Sequence, residues 1–370
     1  MDFLKNYFSK LQEILKEKSI LHFVLLTVSI AFLFLDITAT TKWLVVLFVL
    51  TFIFQSLILR RKCYPLYFLR VLIVILLGFQ LASIVKISTG EKVVLEEKGV
   101  IYKQDNLLSW LLMPNVHDAW SWKLVGKDTI VKVCISTDSF SRRIPDDAFM
   151  KEYTMNQNHP DRHAVFLGCS YTEGAGLNYF STFPFMFEQL NPDYKSYNYG
   201  VSGFGPHQIA LLFDKRVNTI NEEAIPEERG FALYTYIDDH LNRVYGSSYY
   251  LRLPSWTPSL PNVYIENDSL VIKKWSITQL AYAKLFKELA LFRKFDIHFG
   301  YGYPFEESFY KRFAEIINYT AKKYWEFKPD NYFYVGIYPG RHSVDLNWIQ
   351  YLDERIVVLK VTPPSDYYNI

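Results

Sequence analysis

Residues 164–177 read AVFLGCSYTEGAGL, so that an apolar run leads directly into a polar, glycine-rich turn. A short apolar run that stops at such a turn is typical of a buried β-strand. Open α/β sheets place their ligand sites at the carboxyl ends of their strands, where this turn would put Ser170. The same turn is compatible with an ordinary helix start in which Ser170 is the N-cap.

Apolar runs alternate with helical stretches on the carboxyl side of this segment. Strands are predicted at 164–167, 196–199, 230–237, 332–337 and 355–361, and helices at 208–217, 278–295 and 306–325. This alternation predicts an α/β domain with a mainly parallel sheet that is covered on both faces. Residues 248–274 contain three prolines and are expected to form a surface insertion.

Two further strand ends carry small or polar residues. Residues 198–205 (NYGVSGFG) follow the second strand, and their glycines allow a backbone N–H to point at a developing oxyanion. Residues 236–243 (YIDDHLNR) close the third strand. Three successive strand ends of this kind predict one site across the carboxyl edge of the sheet.

These three segments resemble the sequence blocks of the SGNH/GDSL hydrolase superfamily. Gly168-Cys169-Ser170 is similar to the first block, usually Gly-Asp-Ser, with Ser170 in the nucleophile position. Gly203 is similar to the second-block glycine, whose N–H helps to form the oxyanion hole. Asp238 stands where the third block has asparagine. The resemblance runs from about residue 105 to the carboxyl terminus and includes 134–143, which looks like the strand that precedes the catalytic domain in membrane-linked members.

The resemblance implies an SGNH-like, flavodoxin-like, three-layer domain and a serine esterase or acyltransferase anchored to a membrane. Its substrate would be an acylated carbohydrate or lipid. Ser170 would attack the acyl carbon, and the N–H groups of Ser170 and Gly203 would hold the oxyanion. The alternative is a catalytically inactive SGNH-like envelope protein that binds glycans or serves in assembly. Neither interpretation requires a cofactor or a metal ion.

Two departures from the family pattern bear on activity. Cys169 replaces the usual aspartate, and we expect it to be a buried thiol at the strand end. The fifth block, Asp-x-x-His, supplies the general base in the family, and no such pair follows residues 355–361. The expectation is therefore that the chain stops before its base or is inactive. His240 is the candidate substitute, although a structural role fits both His240 and His207.

Three apolar runs in the first quarter of the chain predict transmembrane helices. They cover residues 19–35, 43–59 and 65–85, and each approaches the roughly 20 residues that cross a bilayer. The preceding residues, 1–18, form an amphipathic stripe that could lie at the membrane surface or continue the first helix. The lipid bilayer is accordingly a predicted partner.

The basic residues around these runs predict an orientation and a domain plan. Four lysines precede the first run, and Arg60, Arg61 and Lys62 follow the second. This distribution indicates that the amino terminus and the loop after the second run are cytoplasmic. Three spans would then place the main domain outside the cytoplasm. The predicted order is the segment 1–18, the spans 19–85, a connector with short strands at 86–161, and the SGNH-like domain at 162–370.

Composition narrows the function classes. The 40 Lys and Arg residues nearly balance the 38 Asp and Glu residues, which argues against a nucleic-acid partner. Hydrophobic residues make up 50% of the chain, which is too apolar for a disordered protein. The three cysteines match no zinc or disulfide pattern, and no Walker-type loop is present.

Overall fold

The computed structural model describes residues 97–117, 119–125, 129–146, 150, 153, 160–217, 219–251, 260–288, 305–338 and 345–360. The strands in these ranges are β1 (Glu97–Lys98), β2 (Tyr102–Asp105), β3 (Ser109–Leu112), β4 (Ala119–Val125), β5 (Thr129–Thr137), β6 (Arg143–Ile144), β7 (Arg162–Gly168), β8 (Tyr194–Gly200), β9 (Arg229–Tyr236), β10 (Asn262–Glu266), β11 (Ser269–Lys273), β12 (Tyr332–Ile337) and β13 (Ile356–Lys360). The α-helices are α1 (Ser170–Glu173), α2 (Phe183–Leu190), α3 (Pro206–Leu212), α4 (Asp239–Tyr245), α5 (Ser248–Leu251), α6 (Ile277–Glu288) and α7 (Glu307–Phe327).

A five-stranded sheet forms the centre of the fold, in the order β13-β12-β9-β7-β8. Every neighbouring pair in this sheet is parallel, which confirms the predicted α/β domain with a parallel sheet. The strand β8 lies on one side of β7 and the later strands lie on the other. The strand order therefore reverses between β7 and β9, and ligands of open α/β sheets bind outside the carboxyl ends of the strands at such a point.

Successive side chains of β7 point to opposite faces of the sheet and join two different clusters. Val165 and Leu167 belong to the large core, which also contains buried residues of α3 and α7. Ala164 and Phe166 belong to a smaller cluster on the other face, where the rings of Phe183 and Phe187 from α2 pack against Phe166. The sheet thus has a main face, covered by α3 and α7, and a second face, on which α2 packs.

The predicted transmembrane part of the fold requires correction. The spans 19–35, 43–59 and 65–85 lie outside the described residues, and no helix within the described residues is long and apolar enough to cross a bilayer. The helix α7 has 21 residues, but its buried stripe alternates with charged residues such as Lys311 and Lys322. That pattern is typical of an amphipathic helix that covers a sheet. Within the described residues, the fold is an α/β domain around a five-stranded parallel sheet.

Antiparallel strands flank the central sheet in the sequence. Before it, β1, β4, β5 and β6 form one sheet and β2 and β3 form a hairpin. The expected surface insertion contains a second hairpin, β10–β11, whose turn residues Asn267 and Asp268 both have positive φ angles. All these elements belong to a unit of residues 93–280 and 299–370. The other unit, residues 1–92 and 281–298, is described only at 281–288, in α6.

Candidate functional site

Ser170 is the first residue of α1, immediately beyond the carboxyl end of β7. The N-cap of this helix is Cys169, which makes no side-chain capping bond, so Ser170 is not the N-cap. Cys169 is fully buried, as expected for a thiol at a strand end, whereas Ser170 is partly exposed. Of these two neighbouring residues, only Ser170 is accessible.

Close packing of α1 against the sheet fixes the position of this serine. A Cβ atom at Gly168 would lie 2.2 Å from Oγ1 of Thr172, so only glycine allows the helix to approach the strand. The buried guanidinium of Arg143 donates hydrogen bonds of 2.9 and 2.8 Å to the carbonyl oxygens of Glu173 and Gly174. These bonds satisfy carbonyl groups that a helix end leaves without partners.

The loop that follows β8 carries Gly203 and lies against α1. Gly203 has a φ angle of +83°, and a Cβ atom there would lie 2.8 Å from the ring of Trp110. The indole N–H of Trp110 donates a 2.9 Å hydrogen bond to the carbonyl oxygen of Ser202. The backbone N–H of Ser202 donates to the carboxylate of Glu173, the last residue of α1. The structure thus joins the loop of Gly203 to the helix of Ser170.

Glu173 is the site residue that sequence reasoning missed. Its carboxylate is buried and accepts a 2.9 Å hydrogen bond from the hydroxyl of Tyr102, in addition to the bond from Ser202. Burial raises the pKa of Tyr102, and the negative charge of Glu173 raises it further. The sequence signal for this role was weak, since it consisted of one acidic residue in a glycine-rich turn.

Asp238 follows β9 and is the N-cap of α4. Its Oδ1 atom accepts a 3.1 Å hydrogen bond from the backbone N–H of Asp345 and a 3.4 Å bond from the hydroxyl of Tyr236. A carboxylate accepts hydrogen bonds and cannot donate one to an oxyanion. The resemblance implies that the third-block asparagine faces the oxyanion. Asp238 instead anchors the chain ahead of β13 to the end of β9.

His240 lies in α4 and is fully buried on the main face of the sheet. Its Nδ1 atom lies 2.6 Å from the hydroxyl of Tyr234, and no hydrogen bond joins its ring to Ser170 within the described residues. Burial, and then the positive charge of Arg243, hold the pKa of His240 well below its usual range. The structure does not bring this candidate base into contact with Ser170.

The other described histidines near the sheet are also buried. His207 lies in α3 and is fully buried. Burial, followed by the positive charges of Arg312 and Arg243, lowers its pKa to about 3. His163 contacts the hydroxyl of Tyr324 at 2.5 Å and the carbonyl oxygen of Glu227 at 2.8 Å. The contacts of His163 and the complete burial of His207 are typical of structural residues. His342 lies outside the described residues.

Among the described residues, no group of three His, Cys, Asp or Glu side chains could hold a metal ion. A comparison of the chain with protein-family models and with the sequences of curated proteins gives no match. The resemblance to the SGNH/GDSL superfamily therefore stays a prediction, and the candidate site depends on the geometry of its residues.

Proposed function

We propose that this protein is a serine ester hydrolase or acyltransferase that acts on an acylated carbohydrate or lipid, with Ser170 as the nucleophile. The observation that carries the proposal is the position of Ser170. It is a partly exposed serine at the start of a helix, at the carboxyl edge of β7, where the strand order of the sheet reverses. Ligand sites of open α/β sheets occur at this place.

The surroundings of Ser170 supply the second requirement of acyl transfer, which is stabilisation of an oxyanion. The backbone N–H of Ser170 is one of the first N–H groups of α1, and these groups have no partner within a helix. The loop of Gly203 is held against the same helix through Glu173 and Ser202. Backbone N–H groups fixed in this way stabilise a negative oxygen without reorganisation during the reaction.

A general base is the third requirement. A serine hydroxyl needs a base within hydrogen-bond reach to act as a nucleophile near neutral pH. Within the described residues, no histidine is hydrogen-bonded to Ser170. We therefore expect slow turnover by the 370-residue chain and a rate that an added base increases.

Hydrolysis of p-nitrophenyl acetate by the full chain, with and without added imidazole, tests this proposal. We expect slow hydrolysis alone and a larger rate with imidazole, which takes the place of the side-chain base. Ser170→Ala should reduce both rates to the background of buffer and imidazole. Ser269→Ala is the matched control and should retain the rate, because Ser269 is an exposed serine of the hairpin β10–β11 and takes no part in the candidate site. Equal rates for the Ser170→Ala variant and the unchanged protein would refute the proposal.

The alternative, a non-catalytic glycan-binding protein, has one observation in its favour. The rings of Tyr171 and Tyr338 lie 4.8 Å apart at the carboxyl edge, and the Tyr171 side chain is largely exposed. Aromatic rings at a surface can stack on sugars. This alternative predicts polysaccharide binding that depends on Tyr171, together with hydrolysis rates that do not change in the Ser170→Ala variant.

A further inference from the structure

A pocket of about 290 Å³ lies beside β8, which is an edge strand of the parallel sheet. Residues 195–198 of β8 and residues 142–145, which include β6, contribute to its lining. Neither Ser170 nor Gly203 is among the lining residues. The pocket is therefore separate from the candidate site at the carboxyl edge.

Cationic side chains outnumber acidic ones in this lining. Arg142, Arg143 and Lys195 carry positive charges, and Asp138 is the one acidic residue among the described lining residues. The carboxylate of Asp138 is paired with Arg142, through a distance of 2.6 Å between Oδ2 and Nε. The charges of Arg143 and Lys195 are therefore not neutralised within the described lining.

The ammonium group of Lys195 has unused hydrogen-bonding capacity. It donates one hydrogen bond of 2.6 Å, to the hydroxyl of Tyr153, and lies 4.4 Å from the centre of the Tyr153 ring. An ammonium group has three donors. The exposed Lys311 forms a 2.7 Å ion pair with Glu307, whereas no carboxylate of the described residues lies within ion-pair distance of the partly buried Lys195. Burial lowers the pKa of Lys195, as expected for a cation that has lost water.

Two carboxylates outside the lining act on Lys195 through their charge. Glu188 accepts a 2.7 Å hydrogen bond from the hydroxyl of Tyr153, and Glu227 accepts hydrogen bonds of 2.9 Å from the hydroxyl of Tyr197. Both carboxylates favour the charged form of Lys195, and neither lines the pocket. The remaining donors of Lys195 are therefore open to an anion in the pocket.

The rest of the lining indicates what this anion carries. Ile144, Pro145, Met150 and Tyr179 add aliphatic and aromatic surface. If each heavy atom needs about the 30 Å³ that a water molecule takes in the liquid, the pocket holds roughly nine or ten of them. A bare phosphate ion would fill about half of this space. A carboxylate on a small ring or a short hydrocarbon chain would fill it and cover the apolar surface.

We propose that this pocket binds a small carboxylate with an apolar body, of the size of benzoate. The carboxylate would accept hydrogen bonds from the ammonium group of Lys195, and the apolar body would pack beside Tyr179 and Met150. This inference goes beyond the proposed function, because it concerns a second binding site and does not depend on Ser170.

Benzoate and benzamide, which have the same shape and differ in charge, test the pocket in the full chain by isothermal titration calorimetry. We expect benzoate to bind about tenfold more tightly, because hydrogen bonds between charged groups are stronger than neutral ones. Lys195→Met should remove this preference, and Lys195→Arg, which keeps the positive charge, should retain it. Lys273→Met is the matched control and should also retain it, since Lys273 is an exposed residue of β11 outside the lining.

A larger carboxylate tests whether the site is enclosed. Biphenyl-4-carboxylate has the same anionic group and a second ring that exceeds the volume of the pocket, so it should bind more weakly than benzoate. Lys195→Met should fold with an unchanged or higher Tm, because it replaces a partly buried charge by an unbranched apolar side chain. Equal binding of benzoate and benzamide, a preference that survives Lys195→Met, or equal binding of the two carboxylates would overturn this inference.

The Ser170→Ala variant separates this inference from the proposed function. It should bind benzoate with unchanged affinity, because Ser170 does not line the pocket. Loss of benzoate binding in this variant would place the ligand at the carboxyl edge and refute the pocket. Binding that depends on Lys195, without any hydrolysis that depends on Ser170, would support the pocket and refute the proposed function alone.

Discussion

The two faces of the parallel sheet differ in how far the described residues cover them. On the main face, Phe333 and Val335 of β12 are fully buried in the large core. On the second face, the neighbouring residue Tyr332 and Val357 of β13 remain substantially exposed. Apolar burial is the dominant source of stability, so the main face should carry most of it. The second face also carries a pocket of about 200 Å³, whose lining includes Tyr171 and Phe183.

Substitution on the main face should have the largest effect on stability. Phe313 of α7 is fully buried, and its ring packs against those of Tyr236 and Trp348 at centroid distances of 5.9 and 5.1 Å. Phe313→Ala should lower the free energy of unfolding by about 3–5 kcal/mol, through lost burial and the cavity that remains. Urea denaturation measures this change.

The matched substitution on the second face is Val357→Ala. The Val357 side chain is 40% exposed, so its removal should cost less than about 1 kcal/mol. Similar losses for Phe313→Ala and Val357→Ala would show that the two faces contribute equally and would remove the contrast.

Acid should lower the free energy of unfolding through His207, which is buried on the main face. Its folded pKa of about 3 lies below its ordinary value of 6.5, so the unfolded chain takes up the proton first as the pH falls. The stability that depends on neutral His207 is complete above about pH 7 and is lost progressively below about pH 6.5. At pH 5 the loss should be about 2 kcal/mol.

His207→Phe tests this pH dependence, because neither ring nitrogen has a hydrogen-bond partner within the described residues and phenylalanine has a similar shape. The variant should lose about 2 kcal/mol less than the unchanged protein between pH 7 and pH 5, as measured by urea denaturation at both values. Identical losses in the two proteins would mean that His207 is not the group that titrates.

The smallest effect is expected at the exposed end of α2, on the second face. The Leu190 side chain is 77% exposed at the last position of this helix. Leu190→Gln should change the free energy of unfolding by less than about 0.5 kcal/mol. A loss above about 1 kcal/mol in the same urea titration would show that this side chain is packed in solution.

The sequence was most informative where strands are buried on both sides. The strand predicted at 332–337 is β12 without any change of bounds, since a run of apolar residues in a parallel sheet is a strong signal. The helix predicted at 208–217 ends at Leu212 instead. The helix α2 was missed, because its sequence FPFMFEQL is rich in aromatic residues and its packing on Phe166 is a tertiary contact.

The candidate site was predicted in part for a related reason. Ser170 and Gly203 follow strand ends, which can be recognised from local sequence. The contacts that hold their segments in place cannot, because Trp110 and Ser202 are 92 residues apart and Tyr102 and Glu173 are 71 residues apart. The isolation of His240 from Ser170 likewise results from packing, although the two residues follow neighbouring strands.

The hairpin β2–β3 also bears on where this protein can be divided. Tyr102 and Trp110 of this hairpin donate hydrogen bonds to the Glu173 carboxylate and the Ser202 carbonyl oxygen. The carbonyl oxygen of Leu108, in the turn of the hairpin, accepts a 2.7 Å hydrogen bond from Gln208. The segment predicted as a connector therefore contains residues that hold the loops at the carboxyl edge of the sheet in place. A gene fusion or recombination event that replaced the segment before β7 would keep the parallel sheet. It would remove the hydrogen bonds that hold the loops at the carboxyl edge of that sheet. The segment that must be transferred as one piece therefore begins at the hairpin β2–β3.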